Sequence, residues 1–291
     1  MNRIYTQIKY CLIFVACSFA MHSCNLINKH EQTPTYVHVD SFHFLNPAIP
    51  RSLSHLSQIK EVWAYYDNNL IGVFDLPCTI PVMTNSDTLG KLTLAPGIAV
   101  DGLNNLLGVY PFYRPDTSSL RPQPGKIINY APATEFYSDA KITPLSSFAG
   151  GNSSNTFKLY GSGVPMEEYT DSIIGPAGIV NFLASTNDTV SENYSVDSLI
   201  IPLSVPAYIE FDYKSTVPFY IGLEAYFAGV TSDVPLSGIA PSDHWQKFYL
   251  SVADFEAQYT ASYYFIHIKA SLPPGDASGS FEIANIQLVT F

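Results

Sequence analysis

The chain has 291 residues, of which 13% are charged and 14% aromatic, and its 25 acids against 14 bases leave a net charge of −11. That balance excludes nucleic acid as a partner, because a polyanion is held by clustered Lys and Arg that release its counterions, and no basic stripe exists. The length allows two domains, each able to bury its own core, and 20 Tyr with 18 Phe among so few charges favour strands over helices.

The start reads as an export signal. Arg3 and Lys9 form a positive n-region, and Cys11 to Ala20 form an apolar run too short to span a bilayer. Met21-His22-Ser23-Cys24 then ends the leader with a small residue directly before a Cys. This resembles a lipobox, which implies acylation of the Cys24 thiol after removal of residues 1–23. Cys17, after Val15-Ala16, is the rival site, but cutting there would leave an h-region of only six residues. An ordinary signal peptide cut nearby is the alternative to lipidation. Residues 24–33 form a short polar tether. With Cys11 and Cys17 in the leader and Cys24 acylated, Cys78 alone remains, so no disulfide framework is available. Between Pro77 and Thr79, Cys78 reads as a small buried hydrophobe.

Residues 34–134 form the first expected domain. Alternation predicts strands over Tyr36–Phe44, Glu61–Tyr66, Leu70–Leu76, Leu89–Leu94 and Lys126–Tyr130, with Asp67-Asn68-Asn69 as a hairpin turn. The run from Val62 to Pro77, with Thr79-Ile-Pro-Val82, Gly97 to Gly102 and Tyr110 to Pro115, resembles the N-terminal module of Bacteroidota-type lipoproteins. It is also similar to PEGA-like surface modules, which implies a small Ig/PEGA-like β-sandwich and carries no activity with it.

Residues 135–291 form the second. Pro132–Asn155 reads as a junction, and strands are expected over Ser198–Leu203, Ala207–Tyr213, Phe219–Tyr226, Trp245–Leu250, Tyr263–Lys269 and Phe281–Val289. Turn signals between them and no helical period point to a second β-sandwich, making the chain all-β. Trp245-Gln-Lys-Phe248 and Ile283-Ala-Asn-Ile-Gln-Leu288 resemble two strands of the jelly-roll carbohydrate-binding modules. In that family an Asp that helps hold structural calcium stands where Ala284 stands here, so the resemblance implies a jelly roll without that metal. No metal and no cofactor is expected.

There is no G-x-S-x-G, H-E-x-x-H, Walker A or C-x-x-C motif. His38 and His43, five apart on a strand, point to opposite faces, and adjacent Glu167 and Glu168 lack the separation of a glycosidase pair. The expectation is therefore no enzyme. Sugar rings stack on exposed aromatics, and Trp63, Trp245, Tyr263 and Tyr264 are the candidates; rings packed in a core or paired across strands are the alternative. Asp87-Thr88, Asp171-Ser172, Asp188-Thr189 and Asp197-Ser198, each before an aliphatic residue, resemble the O-glycosylation acceptor motif of Bacteroidota, with Thr88, Ser172, Thr189 and Ser198 as acceptors; the same triplet is also how a turn enters a strand.

These readings lead to a non-catalytic outer-membrane lipoprotein, held by its N-terminal lipid, that acts as an interaction or accessory subunit with an outer-membrane protein partner. The runner-up is a surface glycan-binding lipoprotein of a polysaccharide uptake system, and a glycan-active enzyme is third. Neither the periplasmic nor the cell-surface face is favoured.

Overall fold

The structure is a computed structural model that describes residues 32–45, 58–83, 88–102, 107–146, 148, 156–252 and 261–291. Cys24 and its leader lie outside the described residues, as do Asp87 and parts of the predicted junction.

The fold is all-β and built of two sandwiches. The first contains β1 (Thr35–Val39), β2 (His43–Phe44), β3 (Ile59–Tyr66), β4 (Asn69–Asp75) and β5 (Cys78–Val82). It continues with β6 (Gly90–Ala99), β7 (Leu107–Val109), β8 (Asp116–Leu120), β9 (Ile127–Asn129) and β10 (Ala133–Thr134). Strands order as β4-β3-β6-β7, with β8 also on β6, and face a β5-β1-β9 sheet, while β2 and β10 pair alongside. The period of two explains the core: Val37 and Val39, Val62 and Ala64, Ile80 and Val82, and Leu92 and Leu94 are alternate residues turned inward. The β3–β4 hairpin turns on Asp67 (φ 49°) and Asn68 (φ 64°), residue types that tolerate the left-handed region, and Asn69 already belongs to β4.

The second sandwich contains β11 (Lys141–Ser146), β12 (Phe157–Leu159), β13 (Glu167–Asp171), β14 (Gly175–Leu183), β15 (Val190–Ser195) and β16 (Ala207–Ser215). Then come β17 (Phe219–Phe227), β18 (Val230–Ile239), β19 (Ser242–Ser251), β20 (Tyr263–Ser271) and β21 (Ser278–Thr290). One sheet runs β13-β14-β21-β16-β19 with β11 on β21, and the other runs β12-β15-β20-β17-β18. Ile209, Phe211, Ile221, Leu223, Ile266, Ile268, Phe281 and Ile283 fill the space between them. The segment Ser198–Leu203 is not a strand: Leu199 alone bridges to Tyr264, and Ile200 and Leu203 are 73% and 60% exposed. Pro202, which has no amide proton, would interrupt any ladder there.

The first sandwich packs on the outer face of the first of these sheets. Tyr110, Phe112 and Tyr113, all buried, share a cluster with Tyr249 of β19 and Val289 of β21. The Tyr110 ring meets Tyr208 and Tyr249 edge-on at 5.1 and 4.9 Å, and its hydroxyl donates to Glu210 Oε1. Lys247 Nζ (3.3 Å) and Gln287 Nε2 (2.8 Å) donate to Glu210 Oε2, and Asn285 Nδ2 donates to Asp212 Oδ2 at 2.7 Å. Buried carboxylates are tolerated only when matched in this way. Gly102 (φ 68°) completes the contact, since a Cβ there would lie 2.5 Å from the Phe248 ring. This sheet is therefore covered on both faces, whereas the β12-β15-β20-β17-β18 sheet turns its outer face to solvent among the described residues. They are called the covered and open sheets below.

Candidate functional site

Alternation and register assemble the outer face of the open sheet. In β17 the inward residues are Phe219, Ile221, Leu223 and Ala225, so Tyr220, Gly222, Glu224 and Tyr226 point outward. Their partners on β20 are Lys269, His267, Phe265 and Tyr263. Beyond β20, Glu192 sits opposite Lys269 and Tyr194 opposite His267, while Lys158 of β12 faces Tyr194. On the other side β18 brings Gly238 against Tyr220 and Asp233 against Glu224. With strands about 4.8 Å apart, five of them give a face roughly 19 Å across.

Aromatic rings and hydrogen-bonding groups interleave on this face. Tyr160 and Tyr220 are 63% and 56% exposed. Tyr160 leans edge-on against Tyr194 at 5.2 Å, and Tyr194 stacks on His267 at 4.2 Å and 7°. Tyr226 and Tyr263 form a second stacked pair at 4.6 Å and 11°. Gly238 leaves room for the Tyr220 ring, whose Cε1 lies 3.1 Å from where a Cβ would be. Between the rings, Tyr220, Gly222, Asp233, His267 and Lys269 line a depression of about 300 Å³. His267 Nδ1 lies 2.7 Å from Asp233 Oδ1 and its Nε2 lies 3.1 Å from Glu192 Oε1, whose second oxygen is 3.5 Å from Lys269 Nζ. Burial raises the Tyr194 hydroxyl above its ordinary range, and the charges of Asp233, Glu224 and Glu192 add to the shift. Glu192, Asp233 and His267 offer ligand atoms all within 4.8 Å of one another, the donor set on this face that could hold a metal.

The residues singled out from the sequence are placed differently. Tyr263 belongs to the open face. Tyr264, its neighbour, points the other way and is 1% exposed in the core, so its ring is closed to any ligand. Trp245 is also removed as a stacking residue: it is 4% exposed against Ile174, Ala177 and Ala284, with Lys214 Nζ 5.4 Å from its ring. Ala284 is fully buried in the same small apolar cluster as Trp245. Trp63 lies half-buried on the first sandwich, and its indole N–H donates to Glu61 Oε1 at 2.7 Å. Thr88, Ser172 and Ser198 are exposed and Thr189 is half-buried. Beside Ser172, Asp171 Oδ1 accepts the Ile173 and Ile174 amides at 2.7 and 3.0 Å, so this acid holds a turn. His38 bonds Thr79 and Asp40, while His43 is exposed on β2. Glu168 accepts from Thr156. Cys78 packs at the first core, where burial, aided by Asp75, pushes its thiol up to about 11, which makes a reactive thiolate scarce at neutral pH.

Sequence reasoning passed over Tyr160, Tyr194, Tyr220, Glu192, Asp233 and His267. The outward sets of β17 and β20 were readable by counting alternate residues, but nothing in the sequence says that β15 and β18 flank them.

The arrangement defines a β-sandwich protein with one sheet face closed by a neighbouring module and the other an open aromatic surface. No protein-family model and no curated protein matches the chain. Among solved structures, it is similar to a family 29 carbohydrate-binding module complexed with mannohexaose (18% identity, TM-score 0.35), covering 52% of this chain and 92% of that one. A family 11 carbohydrate-binding module of the cellulosomal cellulase Lic26A-Cel5E of Clostridium thermocellum is similar at 18% identity and TM-score 0.36, over 53% and 97%. The enzymatically active domain of bacteriophage CBA120 tailspike protein 4 follows at 10% identity and TM-score 0.34, over 53% of this chain and 20% of that one.

Proposed function

We propose that the protein binds glycan chains along the outer face of the open sheet, as a lipid-anchored protein of the outer membrane. The observation that carries this reading is the interleaving on one face of accessible rings (Tyr160, Tyr220, Tyr226, Tyr263) with Glu192, Glu224, Asp233 and Lys269. A sugar offers an apolar C–H face and a rim of hydroxyls. Rings take the first, and fixed acids and amines take the second. Acids outnumber bases on this face and in the whole chain, so the ligand is a neutral glycan; a uronic or sulfated chain would meet repulsion. The membrane part of the proposal rests on Arg3, Lys9 and Cys24 alone.

The test is a glycan array followed by calorimetry on wild type, Tyr160→Ala and Tyr220→Ala. Both residues are more than half exposed, so melting should not change. Central aromatic anchors are worth about 2 kcal/mol or more, so affinity should fall at least tenfold. Affinity unchanged in both variants, or no ligand on a broad array, refutes the proposal.

One observation favours the interaction-subunit reading as a second function. On the outer face of the first sandwich Trp63 pairs with Val73 and Tyr65 with Leu70, and Leu70 and Val73 are 52% and 41% exposed. Such a contiguous apolar stripe suits a protein partner, and crosslinking in the native envelope through this stripe would support it.

A further inference from the structure

His267 is the least exposed ionisable side chain of the open face, at 7%, and hydroxyl recognition leaves its Nε2 without a task. Asp233 Oδ1, 2.7 Å from Nδ1, can only accept there, so Nδ1 carries a proton, and in the neutral imidazole Nε2 then holds the lone pair. Nε2 is buried and makes no hydrogen bond, although Glu192 Oε1 stands 3.1 Å away. A lone pair and a carboxylate oxygen at that separation repel unless a positive charge lies between them. A proton on Nε2 would have no well-directed acceptor, and the second oxygen of Glu192 already faces Lys269.

We propose that Glu192 and His267 form a binding site for a divalent transition-metal cation of the zinc class, with Asp233 as the positioning residue that holds the imidazole. A cation about 2.0–2.1 Å from an imidazole nitrogen and a carboxylate oxygen fits between donors 3.1 Å apart. The Asp233–imidazole pair reproduces the carboxylate–histidine–metal arrangement that sets the tautomer and raises ligand basicity. One nitrogen among oxygens selects zinc-like ions over calcium, which takes oxygen ligands, and over ions that want thiolates. Tyr194, stacked on the imidazole at 4.2 Å, shields one side of the ring. The Glu192 side chain is 23% exposed, so the site meets solvent on that side, where water or hydroxyls of a bound sugar would complete the coordination. That last role alone rests on the glycan reading.

The experiment is zinc titration by calorimetry on the chelator-stripped full chain without glycan, repeated with cobalt(II) read by visible absorption. Glycan affinity is then measured with and without zinc. One zinc per chain is expected, with affinity at least tenfold lower in Glu192→Gln and 10- to 100-fold lower in Asp233→Asn, two side chains that are not fully buried. Absence of stoichiometric zinc binding, affinity unchanged in Glu192→Gln, or nitrogen NMR showing both His267 nitrogens protonated in the presence of zinc would overturn the site. A protein that binds zinc but no glycan keeps this site and sinks the glycan reading, whereas glycan binding without zinc binding does the reverse.

Discussion

Replacing Tyr110 with Ala tests whether the two sandwiches are one packed unit. Tyr110 is 0% exposed and is ringed by Phe112, Tyr113, Tyr208 and Tyr249 at 4.5 to 5.3 Å, while its hydroxyl is one of three donors to Glu210. Removing a buried aromatic ring costs about 3–5 kcal/mol from lost transfer and the cavity left behind. At about 2–4 °C per kcal/mol for a chain of this size, the melting temperature should fall by roughly 10 °C. Tyr110→Phe separates the two contributions, because it keeps the ring and removes only the hydroxyl. Glu210 then retains Lys247 and Gln287, so the loss should be about 1–3 kcal/mol. Differential scanning calorimetry of the full chain reads both variants. A Tyr110→Ala protein that melts within about a degree of wild type would show that this cluster is not a shared core, and would remove the reason given for why the covered sheet is closed.

The same interface predicts alkaline lability. Burial, reinforced by neighbouring charge, raises Tyr110, Tyr113 and Tyr249 well above the ordinary phenol range; burial lowers Lys247, but Asp212 and Glu210 outweigh it and raise that group too. Folded values above unfolded ones mean that the stabilisation is complete below about pH 10 and is lost as pH rises beyond it. Urea melts between roughly pH 8 and 11 should therefore show falling midpoints, and a flat profile would contradict the buried network. At the other end of the chain, Cys24→Ser should move the protein from the membrane to the soluble fraction or block its maturation; retention with normal acyl labelling would refute the anchor.

Much of the fold was legible because alternation is a local signal. The β3–β4 hairpin followed from Asp67-Asn68, two residues that accept positive φ, and β16, β17, β19, β20 and β21 fell where polar and apolar residues alternate. Where the pattern is broken, reading failed. β14 starts Gly175-Pro-Ala-Gly178, and β18 carries Pro235, so neither looks like a strand; Ser198–Leu203 looks like one and is not, because register with a neighbour decides pairing. The stacking candidates were chosen by residue type, and size alone does not separate a ring in the core from one on the surface: Tyr263 and Tyr264 are adjacent and face opposite ways. Glu192 and Asp233 come from strands 41 residues apart in the chain, β15 and β18, that reach one another only across β20 and β17.

What alternation leaves undetermined is the cover over an outward face, and that is where function separates from stability. β16, with Glu210 and Asp212 turned outward, and β17, with Tyr220 and Glu224 turned outward, have nearly the same pattern of large apolar residues inside and polar ones outside. Yet Glu210 and Asp212 are 0% and 4% exposed under Tyr110 and Lys247, whereas Tyr220 is 56% exposed. A carboxylate that must be buried in the folded chain needs partners from the chain itself, and Glu210 has three donors. Glu192 and Asp233 stand at a face that no other part of the described chain covers, beside an imidazole nitrogen that makes no hydrogen bond. The covered sheet answers Glu210 with donors from within the chain, whereas the open sheet keeps accessible rings beside Glu192 and Asp233. That difference in cover, not in sequence pattern, is why the proposed binding face is the open one.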